Sequence, residues 1–522
     1  MARAPLDRAG AGGSAQPGSG LRLSEILLPV QVIGLGAVAM AIPAGHGLAV
    51  GDWDQAAPFL YAGGVFLTIT VFLAIAMHGT VPRNRARTHL LTLLGAFTVL
   101  PAMLAVPFTE AVRTTSYFNG YFEMLSALTT TGATLFEPGR LSPTVHLWRA
   151  TVGWMGGFLM WVAAIAILAP LNLGGYEVLS RAPAGTPERI DRPGQSRERR
   201  GRVARHAVRL APIYAGLTGL LWLGLVILGE VPLVAACHAM SVMATSGISP
   251  VGGLGGAQAG MPGELLVALF FVFALTRASF SAEAARGRAG RLARDPELRI
   301  AVSLVLLVPS LLFLRHWVGA YEVDVVADLA SALRALWGSA FNVVSFLSTT
   351  GFVSADWDTA QAWSGLATPG LILLGLALLG GGVATTAGGV KLLRVYALYR
   401  HGTREMDRLT HPSSIGGAGA TERRLRREGA YIAWIFFMLF ALALATVSCL
   451  LAATGVPFDE ALVLTVAALS NTGPVAGVVL DAPVSYAALD VAAKTVLAAA
   501  MVLGRLETLA IIALANPEFW RR

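Results

Sequence analysis

Four short segments of this chain could bind a monovalent cation through backbone carbonyl and side-chain oxygen atoms. They read SALTTTGAT (126–134), SVMATSGIS (241–249), SFLSTTGFV (345–353) and AALSNTGPV (467–475). In each segment, hydroxyl or amide residues come directly before a glycine. A single Thr-Gly or Ser-Gly pair is weak evidence, but four similarly placed copies indicate an internal repeat. The candidate cation-binding residues are Thr130, Thr131, Gly132, Thr245, Ser246, Gly247, Thr349, Thr350, Gly351, Asn471, Thr472 and Gly473.

The composition is that of a membrane protein. The chain of 522 residues is 55% hydrophobic and 13% charged, with a mean hydropathy of +0.64. Soluble domains carry about 25% charged residues. The two cysteines, Cys237 and Cys449, lie in apolar surroundings without metal-ligand or redox spacing, so we interpret them as packing residues.

Ten apolar runs are long enough to cross a bilayer, each near or above about 20 residues. They are predicted at 24–47, 57–79, 88–108, 146–171, 208–229, 262–285, 299–318, 366–398, 429–454 and 488–515, with 366–398 as one broken helix. Four shorter runs lie between them and are predicted to be re-entrant helices, because they are too short to cross. These are 117–131, 233–246, 333–350 and 458–472, and each ends in one of the four repeated segments.

The distribution of charge predicts the orientation in the membrane. Most of the 39 Lys and Arg residues fall in alternate loops, which the positive-inside rule assigns to the cytoplasm together with both termini. The segments predicted to lie outside contain only four: Arg113, Arg140, Arg315 and Arg334. The net charge of +8 therefore has an explanation that needs no nucleic acid. All four repeated segments then lie on the outer side.

The physics of a re-entrant helix predicts what such a repeat does. The helix ends in mid-membrane with its carbonyl end, and the chain returns outward as non-helical backbone. Such backbone is tolerated only where it lines a wet cavity or is buried in protein. Glycine allows the carbonyl groups to turn inward. Four inward-facing strands can replace the hydration shell of a cation, so the sequence predicts a pseudo-tetrameric pore in one polypeptide.

From about residue 24 to its end, the chain resembles the Trk/Ktr/HKT superfamily of potassium transporters, specifically the Trk-type pore subunit. Besides the four segments, the resemblance rests on WRATVGWMGG (148–157), RDPELR (294–299), GGGVATTAGGVKLLR (380–394) and MVLGRLETLAIIALANPEFWRR (501–522). The segment RASFSAEAARGRAG departs from the usual family pattern. So does the third-repeat segment, which has Ala384, Thr385, Thr386 and Ala387 where small Gly or Ser residues are commoner. These departures concern gating more than cation binding.

The resemblance implies an all-α polytopic membrane protein with four membrane–pore-helix–membrane repeats in pseudo-fourfold arrangement and two extra N-terminal transmembrane helices. It also implies potassium as substrate, no cofactor in this chain, a homodimer and a cytosolic ring of nucleotide-binding regulatory subunits in the bacterial inner membrane. Gly132 matches the first-loop glycine of potassium-preferring members. The implied organisation is a disordered cytoplasmic tail at 1–22, the extra helices at 23–80, and repeats at 81–206, 207–298, 299–428 and 429–522.

Two features are predicted to form a gate. The glycine-rich stretch 380–389 interrupts a span. This favours a flexible loop on the inner side of the four cation-binding segments, which together would form a selectivity filter, over a tight helix crossing. Arg505 lies within the last span, where its charge is costly unless it faces the pore, pairs with Glu507 or reaches the interface. The resemblance favours the pore. The candidate gate residues are Arg505, Thr385, Thr386, Gly388, Gly389 and Lys391, with Lys391 at the cytoplasmic end of the loop.

Other charged and polar residues permit more than one interpretation. Carboxylates near the outer ends of the repeats either gather cations or, more commonly, cap helices and face water. The basic loops 181–209 and 394–427 either set the topology or dock an acidic partner or membrane lipids. His238 and Ser246 are too far apart along one helix for a hydrolase dyad. The outer carboxylates are Glu123, Asp356, Asp358 and Asp459.

The sequence favours a channel-like potassium transporter over two other classes. A coupled secondary transporter, linked to protons or sodium, also uses broken helices, but usually with two repeats. A membrane enzyme ranks third because no metal-ligand, nucleophile–base or phosphate-loop pattern stands out. Flux driven by a potassium gradient alone separates the first two classes.

Overall fold

The structure is a computed structural model that describes residues 27–78, 85–173, 175, 202–276, 295–318, 329–366, 368–411, 429–480, 482–507 and 510–511. Within these ranges the regular secondary structure is helical, with no β-strand. Several predictions lie outside the described residues: the tail 1–22, most of the loop 181–209, the segment 277–290, the part 412–427 of the second basic loop and the C-terminal stretch 512–522.

Eighteen α-helices are described, and we number them in chain order. They are α1 (Leu28–Ala39), α2 (Ala41–Val50), α3 (Trp53–Ala76), α4 (Arg85–Thr98), α5 (Leu100–Val112), α6 (Tyr117–Leu128), α7 (Pro143–Ala163), α8 (Arg202–Ile227), α9 (Pro232–Ala244), α10 (Gly260–Leu275), α11 (Pro296–Val318), α12 (Leu329–Leu347), α13 (Trp357–Ser364), α14 (Gly370–Leu379), α15 (Leu392–Thr410), α16 (Ala430–Ala453), α17 (Phe458–Leu469) and α18 (Val491–Leu506).

The N-terminal helices α1, α2 and α3 pack against one another. α1 and α2 form one apolar span, Leu28–Val50, and α3 returns beside them. Asp52 caps α3 by accepting a hydrogen bond from the Gln55 amide at 3.2 Å. Large apolar side chains of α3, among them Tyr61 and Phe72, remain exposed, as expected of a lipid-facing helix.

Seven stretches in the described part of the chain are long and apolar enough to cross a membrane. They agree with the predicted spans from 24–47 to 208–229 and with 299–318 and 429–454. α10 is shorter than its predicted span, because Leu275 ends it and the residues after Thr276 are not described. The seven stretches are Leu28–Val50, Trp53–Ala76, Arg87–Val112, Pro143–Leu171, Arg202–Ile227, Pro296–Arg315 and Ala430–Ala453.

The four expected short helices are present as α6, α9, α12 and α17. α6, α9 and α17 have 12 or 13 residues, whereas α12 has 19 and begins four residues before the predicted run. Ser116 caps α6 by accepting from the Asn119 amide at 3.3 Å. Most residues in the last turns of all four helices are buried, which places these ends inside the protein.

The predicted break in the span 366–398 is also observed. α14 ends at Leu379, and helix resumes only at Leu392, where α15 begins. The intervening residues 380–391 are non-helical and buried. We refer to residues 380–391 as the intramembrane loop. Its buried backbone must find partners inside the protein.

Candidate cation pathway

The four short helices end in the same unusual backbone conformation. One non-glycine residue at each end lies in the left-handed region, where a side chain costs about 1–2 kcal/mol. The same cost at four equivalent places indicates that the turn is a required feature and not an accident of one loop. These residues are Thr130 (φ 55°), Thr245 (φ 54°), Thr349 (φ 60°) and Asn471 (φ 53°).

The residue after each left-handed position donates its amide back into the helix. Thr131 N donates to Ser126 O at 2.8 Å, and Thr350 N donates to Ser345 O at 3.0 Å. Ser246 and Thr472 repeat this bond at 2.9 and 2.8 Å, to Ser241 O and Ala467 O. This is the hydrogen bond of the Schellman motif that ends a helix. We call each of the four endings, from the left-handed residue to the glycine, a filter turn.

The four filter turns contact one another in cyclic order. A Cβ atom on Gly132 would overlap the carbonyl oxygen of Ser246, so the first turn lies against the second. A Cβ on Gly247 would overlap Thr350 O, which brings the second turn against the third.

The third and fourth contacts close the cycle. A Cβ on Gly351 would lie 3.1 Å from Pro474 Cβ, and one on Gly473 would overlap the Ala133 amide. Asn471 Nδ2 also donates to Thr131 Oγ1 at 3.0 Å. Residues hundreds of positions apart in the chain are thus assembled at one place.

The fourth turn differs from the other three. Gly132, Gly247 and Gly351 have φ values of 74°, 65° and 79°, whereas Gly473 begins a 3-10 helix, Gly473–Gly477, without a positive φ. The Gly473 amide donates to Thr131 O at 2.6 Å. Its carbonyl accepts a hydrogen bond from the Tyr486 hydroxyl at 2.9 Å. Because Pro474 follows, its fixed φ favours the tight helical start.

The intramembrane loop lies against the filter turns. Gly388 N donates to Thr349 Oγ1 at 2.7 Å, and Thr386 Oγ1 donates to Met243 O, near the end of α9, at 3.3 Å. A Cβ on Gly388 would overlap Ser470 O at the end of α17. The loop therefore contacts three of the four short helices at their carbonyl ends.

Two buried cationic side chains bind the loop. Arg505, on α18, donates from Nη1 to Thr386 O at 2.7 Å and is 3% exposed. Lys391 Nζ donates back to Ala387 O. Lys391 thus lies at the end of the loop along the chain, as expected, but its ammonium group returns to the loop itself. Thr385 donates to Gly382 O at 2.7 Å and makes the loop more compact.

Glu507 pairs with a different arginine from the one that the sequence suggests. Its Oε2 lies 2.5 Å from Arg394 Nη2, on α15, and both side chains are buried. The Arg394 guanidinium also lies 3.6 Å from the ring centre of Phe436. Arg505 is therefore available to the intramembrane loop. Proximity along the chain makes Arg505 and Glu507 the obvious pair, and only the fold shows the alternative.

Glu123 does not face water at the outer mouth. It is 2% exposed, and its Oε1 lies 2.6 Å from Arg149 Nη2, on α7. Two of the other outer carboxylates fit the helix-capping interpretation better. Asp358 and Asp459 lie in the first turns of α13 and α17. Carboxylates there are favoured by the helix dipole. Arg149 is absent from the candidates drawn from the sequence, where its only signal is a charge inside a span.

His238 and Ser246 have separate hydrogen-bond partners. His238 Nε2 lies 2.8 Å from Ser249 Oγ, while Ser246 Oγ donates to Ser241 Oγ at 3.2 Å. No cluster of three His, Cys, Asp or Glu residues suited to a metal occurs among the described residues. Cys237 is buried and Cys449 is exposed, each as a free thiol.

Known proteins with related sequences are transporters. Residues 298–522 match the family model described as "TrkH: Cation transport protein". The Trk system potassium uptake protein TrkH of Salmonella typhimurium is 31% identical over 473 residues, which are 88% of this chain and 93% of that protein. Its counterpart in Escherichia coli K12 is 30% identical over 472 residues, with the same coverage.

A solved structure has the same fold. The crystal structure of the potassium transporter TrkH from Vibrio parahaemolyticus superimposes with a TM-score of 0.79 at 26% identity. The match covers 95% of this chain and 99% of that one. With the apolar helices described above, it identifies an all-α, multi-pass membrane protein. The chain therefore belongs to the TrkH family of cation transport proteins.

Proposed function

We propose that this chain is the ion-conducting subunit of a potassium uptake system. The observation that carries the proposal is the cyclic contact of four filter turns, each at the carbonyl end of a short helix. Helix carbonyl ends carry partial negative charge and favour a cation. Backbone carbonyls arranged around one axis are the usual filter for potassium. The relatives named above are potassium uptake proteins, which agrees with this substrate.

In this proposal the four membrane–pore-helix–membrane repeats surround one pore with pseudo-fourfold symmetry. The two extra N-terminal helices precede these repeats in the chain. The repeats are the predicted segments 81–206, 207–298, 299–428 and 429–522. The filter turns select the cation. Their arrangement is supported by the repeated hydrogen bond from the residue before each glycine to the helix carbonyl five residues earlier.

The gate in this proposal is the intramembrane loop together with Arg505. The loop is buried against the filter turns, so a cation leaving them would meet it next. The guanidinium group adds a positive charge that opposes a cation in a medium of low dielectric constant. Regulation by a cytosolic ring of nucleotide-binding subunits and assembly as a homodimer complete the proposal. Potassium is the substrate, and the chain carries no cofactor.

The proposed location is the bacterial inner membrane, with both termini in the cytoplasm. The excess of Lys and Arg in alternate loops supports this orientation. Proton- or sodium-coupled transport remains the second candidate, favoured by the broken helix α14–α15. Nucleic acid is not among the proposed partners, because the positive-inside rule already accounts for the net positive charge.

Growth of a potassium-uptake-deficient bacterium at low potassium tests the function. Expression of this chain with a nucleotide-binding regulatory subunit is expected to restore growth, because the pore then opens under control. Expression without that subunit is expected to restore less growth. A variant with Pro474→Ala and Gly473→Leu, which blocks the fourth turn, serves as the inactive control at equal membrane abundance. Failure of the native pair to support growth would contradict the proposal.

A further inference from the structure

A polar side chain behind the first filter turn holds the strand that returns outward from it. Glu123 Oε2 accepts a hydrogen bond from the Leu135 amide at 3.0 Å, across twelve residues. In the third repeat, Asn342 Oδ1 accepts from the Ser354 amide at 2.9 Å, again across twelve residues. Glu123 and Asn342 stand at the same distance in sequence before Gly132 and Gly351. The same backbone position is thus held in two repeats by different chemistry.

The second and fourth repeats do not reproduce this bond. At the matching positions stand His238 and Leu464. Pro250, where the second repeat would need the donor, has no amide hydrogen, and His238 binds Ser249 instead. Leucine has no acceptor, and Tyr486 holds the fourth turn from another side. The four equivalent positions hold four different residues with different partners, so the four repeats are not interchangeable.

Of the four matching positions, only the first has a carboxylate; in the third repeat Glu264, on α10, supplies a carboxylate from elsewhere and accepts from Ser354 Oγ and the Ala355 amide, both at 2.7 Å. Glu123 and Arg149 are 2% and 4% exposed, and their closest atoms are 2.6 Å apart. Asn342 shows that a neutral amide suffices for the hydrogen bond. A buried ion pair is not stabilising by default, because both ions lose their hydration, but removing one partner leaves a costly charge. Stability alone therefore does not explain why the Glu123–Arg149 pair is buried here.

We propose that Glu123 is a positioning residue for cation selection. Its carboxylate fixes the Leu135 amide and so the outward course of the first filter strand, while Arg149 holds the carboxylate in place and balances its charge. The first turn then presents its oxygen atoms at one spacing, and the cation preference depends on that spacing. This inference rests on the proposed filter.

Two substitutions separate the hydrogen bond from the charge. Glu123→Met keeps the length of the side chain but removes both the acceptor and the charge, so that only the acceptor distinguishes it from Glu123→Gln. It is expected to lower the preference for potassium over sodium about fivefold, a ratio that corresponds to about 1 kcal/mol. Glu123→Gln keeps an acceptor but leaves Arg149 without its carboxylate beside the turn. It is expected to raise the half-saturating potassium concentration, and adding Arg149→Met is expected to restore it.

The experiment measures potassium and sodium influx into proteoliposomes at equal amounts of folded protein, judged by size-exclusion chromatography. Glu137→Gln and Glu137→Met, at an exposed glutamate in the same loop, are the matched controls and should match the native protein. If Glu123→Met folds and keeps the native preference, the proposal is overturned. If that variant does not fold, the double variant Glu123→Met, Arg149→Met, which leaves no unpaired charge, takes its place, and a native preference in it overturns the proposal.

Gly132→Ser distinguishes failure of this inference from failure of the proposed filter. If Gly132→Ser changes the cation preference and both Glu123 variants do not, the filter stands and the role of Glu123 is refuted. If the native protein carries no potassium, or if Gly132→Ser has no effect, the proposed filter itself is refuted.

Discussion

At the scale of single residues, the four filter turns depend on backbone conformations that side chains usually avoid. Thr130, Thr245, Thr349 and Asn471 are all left-handed, at a cost that only surrounding packing can offset. Asparagine tolerates this region better than threonine does, because its short polar side chain bonds locally. The following glycines meet the next repeat so closely that a single methyl group would press against its atoms. The contacts among the filter turns are thus mostly those of the main chain.

Gly132→Ser is expected to abolish or invert the preference for potassium. The residue has a φ of 74°, and its new Cβ would overlap the carbonyl oxygen of Ser246, so the first and second turns must separate. Gly139→Ser is the control, because a Cβ atom on Gly139, in the same loop, would have no neighbouring atom within 4 Å. Influx of potassium and sodium into proteoliposomes provides the measurement. Equal preference in the two serine variants would contradict the assignment of Gly132.

At the scale of elements, the intramembrane loop is held from several sides. Gly388 bonds to the third filter turn, Thr386 bonds to α9, and Arg505 reaches the loop from α18. The α14–α15 break supplies a segment with few helical hydrogen bonds of its own, so these contacts decide its position. Such a segment can take a second position if its contacts are exchanged, which a gate requires.

Arg505→Ala is expected to increase potassium influx by about tenfold, as the loss of a charge-assisted hydrogen bond to Thr386 O releases the loop. The substitution also removes a positive charge from the pathway. Arg408→Ala is the matched control, since Arg408 is an exposed arginine on α15 that pairs with Glu405 three residues earlier. Influx is measured in vesicles with equal protein incorporation. An unchanged rate in Arg505→Ala would argue against a role in gating.

At the scale of the whole molecule, the fold brings four separated stretches of chain, the filter turns, to one place. α7 packs against α9, α10 against α12, and α14 against α17, so each repeat contacts the next. The buried pair Arg394–Glu507 joins α15 to the end of α18 and ties the third repeat to the fourth. The proposed single pore does not need alternating exposure of a central site. It therefore predicts conduction down a gradient instead of coupled transport.

Proteoliposomes containing the purified chain are expected to take up potassium under a potassium gradient with no proton or sodium gradient present. A proton ionophore should leave the rate of potassium uptake unchanged, provided that a separate cation conductance holds the membrane potential constant. Empty liposomes and liposomes with the Gly473→Leu, Pro474→Ala variant are the controls. Uptake that appears only after an inward proton or sodium gradient is imposed would favour the coupled transporter.

The sequence by itself determined the class of protein, the short helices and the places where they end. Apolar length and charge asymmetry are local properties, and the four Thr/Ser/Asn-containing endings are visible because they recur. The break between α14 and α15 followed from its glycines, which weaken a helix wherever they occur. The family resemblance added the candidate gate residues, including Arg505, whose position within a span is itself visible in the sequence.

Only the tertiary structure decided which of these parts contact each other. Glu123 has the sequence position of an outer-mouth carboxylate, yet it is buried with Arg149, and Glu507 pairs with Arg394, more than one hundred residues away. The conformation of Gly473 likewise depends on Thr131 and Tyr486. Composition and periodicity report what a segment prefers in isolation. Buried polar groups instead take whichever partner the folded chain brings within hydrogen-bond distance, because leaving them unpaired costs more than any local preference.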